Sequence, residues 1–236
     1  MSELTQRIDG LDWALLRASL DEHGYAVTPK ILRAGECDDL IRLFGDDGRH
    51  RAVIDMRRFR YGSGVYKYFD NPLPEPVQQL REAFYRPLAE VANEWAGRLG
   101  GGAEFPRTLA EFLDTCHRSG QLRPTPLIFR YEEGDFNALH QDVYGAVGFP
   151  LQVLTVLSRP GRDFTGGEFL LVTQQPRAPS VGEVINLDRG QMLIFPNRRR
   201  PVRGTRGYYR TDVRHGVSRI RSGRRHTLGI IFHDSE

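Results

Sequence analysis

Eight short β-rich runs follow one another from Thr125 to His233: TPLIFRY, NALHQDVY, LQVLTVLS, GEFLLVT, GEVINL, QMLIFP, DVRHGVSRI and RHTLGIIFH. Gly, Pro, Asn and Asp separate them, which is the punctuation of tight turns between strands. Such a series reads as an antiparallel sandwich or jelly roll. The N-terminal half has a different texture. Apolar residues recur at helical spacing over residues 11–23, about 35–44, 74–98 and about 107–118. The longest of these opens with Pro74 and Pro76 in its first turn and closes before Gly100-Gly101-Gly102. Pro87 stands inside it and is expected to kink or divide it. A strand-like GYAV begins at Gly24. The chain is therefore expected to be α+β: a jelly roll, the double-stranded β-helix, behind a helical N-terminal support layer. No repeat or low-complexity linker interrupts it, so residues 1–236 are read as one domain. In that reading 1–120 give helical support and a substrate-side hairpin, and 121–236 give the catalytic core.

Several function classes are excluded early. No apolar run approaches the roughly 18 residues of a membrane-spanning helix, and MSELTQRIDG has neither the basic nor the apolar region of a secretory signal. Cys37 and Cys116 are the only cysteines, too few for a disulfide framework or a zinc ribbon. A soluble protein of a reducing cytoplasm is expected. No nucleophile elbow, P-loop or Rossmann turn is present. Gly100–Gly102 lacks a following Lys-Ser/Thr and reads as a linker.

His140-Gln141-Asp142 lies in one of the strand-like runs. Side chains alternate along a strand, so His140 and Asp142 share a face and Gln141 points away. An imidazole and a carboxylate on one face, joined by a second His from a distant strand, make the facial triad of non-haem Fe(II) oxygenases. An isolated H-x-D is unspecific, and a surface strand with a solvated His and Asp is its plain alternative. The ordered context decides between them. Tyr131 stands nine residues before His140, and GGEFLLV (166–172), RGQMLIFPN (189–197) and RHGVSRIRSGRRHTLGIIFH (214–233) follow in order.

These motifs resemble the Fe(II)/2-oxoglutarate-dependent dioxygenases, in their prolyl-4-hydroxylase-like branch, over Leu127 to Phe232. FDNPLPEPVQQLR (69–81), FPLQVLTVLSRPG (149–161) and RRPVRGTRGYYR (199–210) further resemble a bacterial group described as oxygenases of damaged nucleic acid. The resemblance implies His140, Asp142 and His215 as iron ligands and catalytic centre, with Fe(II), 2-oxoglutarate and O2 as cofactor and co-substrates. It implies Arg225, in Gly223-Arg224-Arg225, as the cation on the far carboxylate of 2-oxoglutarate, and Tyr131 as a hydrogen-bond partner of that co-substrate. A planar guanidinium suits a carboxylate because it can grip both oxygens. Arg224 and Arg225 alternate on their run, so only one faces inward, and Arg225 is the expected one. His226 then faces the other way, and is expected to pack or to face the substrate rather than to bind metal. His233, near the chain end, is expected to be solvated.

Charge points to the partner. Residues 198–225 hold eleven arginines against one acid, Asp212: a charge of +10 in a chain whose net charge is +3. The chain uses Arg almost to the exclusion of Lys, but that bias leaves the clustering unexplained. Such a field attracts polyanions. A second basic stretch, Arg49 to Tyr68, interleaves Phe59, Tyr61, Tyr66 and Tyr68 with Arg51, Arg57, Arg58, Arg60 and Lys67. Guanidinium groups bind phosphate and aromatic faces stack on bases; an amphipathic hairpin with solvated arginines is the alternative. DNA or RNA, contacted through Arg198–Arg214 and Arg49–Tyr68, is the expected partner, with an alkylated base as substrate. A protein side-chain hydroxylase and a non-catalytic, metal-retaining jelly-roll module are the competing functions.

Overall fold

A computed structural model describes residues 2–59, 61–101, 104–142, 145–175 and 178–236. Arg60, Gly102, Val143 and Tyr144, which figure in the readings above, lie outside the described residues. Helices dominate the first half: α1 (Glu3–Asp9), α2 (Trp13–Glu22), α3 (Ala34–Leu43), α4 (Glu75–Arg98) and α5 (Leu109–Arg118). Between them run β1 (Ala26–Lys30), β2 (His50–Asp55), β3 (Gly62–Ser63) and β4 (Val65–Phe69). The second half is strand: β5 (Leu127–Glu132), β6 (Phe136–His140), β7 (Leu151–Val156), β8 (Phe164–Gly166), β9 (Phe169–Gln174) and β10 (Val181–Ile185). It continues with β11 (Gln191–Pro196), β12 (Arg199–Gly204), β13 (Gly207–Val217) and β14 (Ile220–Ile230).

Two antiparallel sheets form. The larger has the order β1-β11-β7-β14-β5-β4-β2, with β8 paired to the first half of β14; the smaller is β10-β9-β13-β6-β3, with β12 beside β13. Strand alternation explains how one sheet serves two cores. Along β7, Leu151 and Val153 pack with the helices, among Leu80, Phe84 and Leu88. Leu154 and Val156 point the other way, into a core shared with Phe169, Leu171 and Val213 of the smaller sheet. A strand buried on both faces shows no apolar–polar alternation, which is why LQVLTVLS is mostly apolar, with Gln152, Thr155 and Ser158 themselves buried. The same split places Met192 and Ile194 against the helices and Leu193 and Phe195 between the sheets.

Three local outcomes differ from the sequence reading. Of the two expected effects of Pro87, division does not occur: helix α4 runs through it, with Phe84, Leu88 and Val91 on either side all buried in the helix-side core. Residues 3–9 form a helix that periodicity over so short a span did not suggest. Ser2 caps it by accepting from the Thr5 N–H (3.1 Å), and Leu4 and Ile8, one turn apart, are buried beneath it. His233 is not solvated. It is 1% exposed, and its Nδ1 accepts from the backbone N–H of Phe149 (3.2 Å). The segment that carries it is anchored by buried Arg81, which donates to Ile231 O, Phe232 O and Asp234.

Candidate metal centre

His140 is the last residue of β6 and stands directly opposite His215 of β13, with ring centroids 4.3 Å apart. Asp142 lies two residues beyond the strand rather than within it, and still turns to the same side. Its Oδ2 is 3.1 Å from His215 Nε2 and its Oδ1 is 3.6 Å from His140 Nε2. One ligand atom from each of the three residues falls within 4.8 Å of the others. Gln141 points away, as alternation requires, and donates to Val213 O (2.9 Å).

Neighbours fix each group. His140 Nδ1 donates to Ala138 O (2.7 Å), which leaves Nε2 bare toward the cavity. Gln152 Nε2, from β7, donates to Asp142 Oδ2 (2.8 Å). The His215 ring lies parallel to Phe169 (5.9 Å, 8°) and edge-on to Phe195 (4.9 Å, 65°). Burial opposes the charge on Asp142, but His215, His140 and Gln152 together hold its carboxyl well below the usual carboxylate range. Burial and the neighbouring His215 lower the pKa of His140, keeping it a neutral ligand near pH 7. The result is two imidazoles and one carboxylate converging on one point.

The triad sits in a cavity of about 240 Å³ whose remaining walls are largely aromatic, with Phe59, Tyr61, Tyr66, Tyr68, Phe129 and Tyr131 prominent. Tyr66 and Tyr68 alternate inward on β4, while Lys67 between them turns out to Phe44 O and Asp47. The second basic stretch is thus a β2–β4 hairpin that presents its aromatics to the triad. Gly64 makes this approach possible. Its φ is +122°, and a Cβ there would stand 2.8 Å from the Tyr131 ring.

Arg225 faces inward and Arg224 outward, where Arg224 pairs with Glu132 (3.1 Å). Arg225 is 1% exposed, and its Nε and Nη1 have no hydrogen-bond partner among the described residues. Burial lowers its pKa to about 10 against the opposing pull of Tyr131 and Glu168, so it is still a cation at pH 7. It lines a neighbouring cleft rather than the triad cavity, and Phe169 is a wall of both. Gly167 (φ +66°) leaves room for it, since a Cβ there would come within 2.9 Å of Arg225 Cδ. That accounts for Gly-Gly-Glu in the preceding hairpin. Tyr131, 5.7 Å from the Arg225 guanidinium carbon at its ring centroid, stands between the cation and the triad cavity.

The +10 segment spans the β12–β13 hairpin, whose second strand carries His215, and runs on into the first half of β14. Its arginines are not equivalent. Arg200 is buried and donates to Asp21 O (3.1 Å), and Arg199 pairs with Asp212 (3.0 Å). Arg198, Arg203, Arg206, Arg210 and Arg214 are exposed. His226 packs edge-on against Phe44 (5.7 Å) and takes no part in the centre. Gln152, Phe169 and Phe195 went unnoticed in the sequence. Only Gln152 left a signal there, as a polar residue inside an apolar strand.

Comparison with known proteins agrees with this geometry. The Oxygenase-NA family, described as an oxygenase catalysing oxidative methylation of damaged DNA, matches residues 64–235. Uncharacterized protein Rv2227 of Mycobacterium tuberculosis is 48% identical over 189 residues, 80% of this chain and 78% of its own. Among solved structures, a prolyl-4-hydroxylase from Pseudomonas putida superposes with a TM-score of 0.58 at 15% identity, covering 95% of this chain and 99% of that one. A prolyl hydroxylase from Trichoplax adhaerens, in complex with a hypoxia inducible factor peptide, gives 0.56 at 15% identity (98% and 92%). An oxidoreductase of the 2OG-Fe(II) oxygenase family from Burkholderia pseudomallei gives 0.52 at 18% (94% and 92%). What these structures share with the chain is the fold, the double-stranded β-helix of 2-oxoglutarate Fe(II) oxygenases. The chain belongs to the Oxygenase-NA family, and is an oxygenase and so an oxidoreductase.

Proposed function

We propose that the protein hydroxylates an N-alkyl group on a nucleic-acid base, using Fe(II) held by His140, Asp142 and His215 and 2-oxoglutarate anchored by Arg225. The observation that carries this reading is the convergence of those three side chains on the floor of an aromatic cavity. Adjacent ligands on an octahedral ion with bonds of about 2.1 Å stand about 3 Å apart, and the distances from Asp142 to the two imidazoles are 3.1 and 3.6 Å. Two imidazoles and a carboxylate, with no fourth His, Cys, Asp or Glu joining them among the described residues, suit Fe(II) with coordination positions left open. Bound there with 2-oxoglutarate and O2, iron supplies the oxidant that puts one oxygen atom into a substrate C–H bond, the other leaving in succinate as CO2 is released.

The chain's own residues set the conditions. Ala138 O and Gln152 aim His140 and Asp142 before the metal arrives. Arg225 is a buried cation with two unsatisfied N–H groups, an arrangement that costs stability unless a carboxylate pairs with it. The far carboxylate of 2-oxoglutarate supplies that partner. Tyr131, protonated because burial raises its pKa, can donate its phenol hydrogen to the same ligand. The aromatic walls exclude water and offer stacking faces to a flat base.

The family description supports nucleic acid as substrate, and so do the exposed arginines of the β12–β13 hairpin and Arg57 and Arg58 beside the cavity mouth. Hydroxylating an N-methyl carbon gives an N-hydroxymethyl group that collapses to formaldehyde and the free amine. The direction proposed is therefore removal of methyl groups. A base inside a duplex cannot reach a buried centre, so it must be single-stranded or flipped. The test is succinate and formaldehyde release by the Fe(II)-loaded protein on methylated single- and double-stranded oligonucleotides and on prolyl peptides. Equimolar succinate and formaldehyde on a methylated strand is the expected result. Succinate formed only with peptides would replace the substrate, and no succinate with any of them would sink the reaction.

A further inference from the structure

Asp142 is a wall common to two cavities. Beyond the triad cavity lies a larger cleft of about 660 Å³, enclosed by the C-terminal end of α4, by α5, by Phe149 and by the chain entering β12. Trp95, Phe105 and Phe149 give it an aromatic wall. Two features set it apart from a plain apolar groove. Asn197 lines it at 4% exposure; its Nδ2 donates to Phe149 O (2.7 Å), and its Oδ1 is buried with no hydrogen-bond partner among the described residues. Arg198 lines it too. While Arg199 pairs with Asp212 and Arg200 is spent on Asp21 O, Arg198 is exposed and has no ion pair among the described residues. The Arg198 carbonyl accepts from Gln141 Nε2 (3.3 Å), so this cation is tethered beside the residue that precedes Asp142. Glu104 is the one acid on the wall besides Asp142.

We infer that this cleft binds the nucleotide next to the one oxidised. The inference rests on the nucleic-acid reading above and adds a subsite to it. An occupant here shares a wall with the reaction centre, as a neighbouring unit of the same polymer would. An aromatic wall calls for a flat ring, the unpaired Asn197 Oδ1 calls for an N–H donor, and Arg198 calls for an anion. A nucleobase with an amino or imino edge, on a phosphodiester, combines all three. The enzyme then reads at least two consecutive nucleotides of an unpaired strand.

The experiment compares a methylated trinucleotide, modified at its centre, with the methylated nucleoside 5′-monophosphate. The wild type should favour the trinucleotide in kcat/KM by about tenfold or more, the worth of one stacked base. Replacing one flanking base by an abasic sugar should abolish that preference on one side of the modified nucleotide. Ala96→Trp, which fills the cleft from α4, should collapse the trinucleotide-to-mononucleotide ratio, and Arg198→Ala should lower the salt slope of strand binding by about 0.7, the value of one neutralised phosphate on a single strand. Should Ala96→Trp not fold, the abasic substrates and Arg198→Ala carry the same decision. A wild type that uses both substrates equally, or a ratio indifferent to Ala96→Trp and to both abasic sites, overturns the subsite and leaves the oxygenase reading intact. Turnover of neither nucleotide, with a prolyl peptide consumed instead and slowed by Ala96→Trp, overturns both the nucleic-acid reading and this use of the cleft.

Discussion

Gln152 is the side chain on which the candidate centre most depends outside the triad itself. It is buried on β7, an interior strand of the larger sheet, and its Nε2 holds one oxygen of Asp142 at 2.8 Å. Without it that oxygen loses one of its donors and the carboxylate gains freedom to turn. Gln152→Ala should weaken metal binding about 10–100-fold, the usual cost of losing a hydrogen bond behind a ligand. Chelator competition with Co(II) on the folded protein measures this without turnover, and an unchanged affinity would remove Gln152 from the centre. Arg225→Ala should weaken 2-oxoglutarate binding by about 2–4 kcal/mol, the range for a charge-assisted hydrogen bond in a desolvated site. Arg224→Ala, which removes only an exposed pair with Glu132, should leave that affinity unchanged. Calorimetric titration of the metal-loaded protein separates the two, and equal effects would undo the inward assignment. Strand alternation made legible the shared face of His140 and Asp142 and the fact that only one of Arg224 and Arg225 can turn inward, while His215 and the choice of Arg225 came from the family resemblance. Gln152 was not legible, because its partner Asp142, ten residues back and beyond the end of β6, meets it only through the way the chain lies against β7.

At the level of elements, the β12–β13 hairpin divides the arginine cluster into two kinds. Arg203, Arg206 and Arg210 project from the hairpin into solvent, whereas Arg200 is built into the packing against α2. Neutralising the first three should lower the slope of log affinity against log salt for a single strand by about 0.7 for each phosphate left without its arginine, with melting temperature little changed. Arg200→Ala should do the reverse, costing stability through the unpaired Asp21 carbonyl and a void beneath the hairpin. Filter binding across a salt series, run beside thermal melts, checks both. If all four variants shift the slope equally, the division is wrong. The strands and helices were largely legible because each has its own period or turn chemistry. Helix α1 was missed because seven residues carry only two buried positions. The unbroken course of α4 through Pro87 was missed because packing along the sheet, which sequence does not display, outweighs one missing hydrogen bond.

For the whole molecule, the two histidines outside the centre that burial has stripped of water make stability depend on pH. His226, beneath Phe44, and His233, beneath Phe149, both have their pKa lowered from 6.5 to about 4, first by burial and then by nearby arginines. The unfolded chain therefore takes up these protons before the folded one does. Their contribution is fully present above about pH 6.5, declines as pH falls toward 4, and levels off below that. Each proton is worth about 1.4 kcal/mol per pH unit across that window, or about 3 kcal/mol in all. Two together make a large share of the 5–15 kcal/mol typical of a folded domain. Metal-free protein should thus lose stability steeply between pH 6.5 and 4, with His140, also lowered, adding to the slope. His226→Phe keeps an aromatic ring against Phe44 and removes one titrating site. Denaturant midpoints measured from pH 7.5 to 4 should show a shallower decline for this variant, by close to one proton's slope. A decline as steep as the wild type's would mean that His226 is protonated in the folded state, and that its burial beneath Phe44 is not what the structure gives.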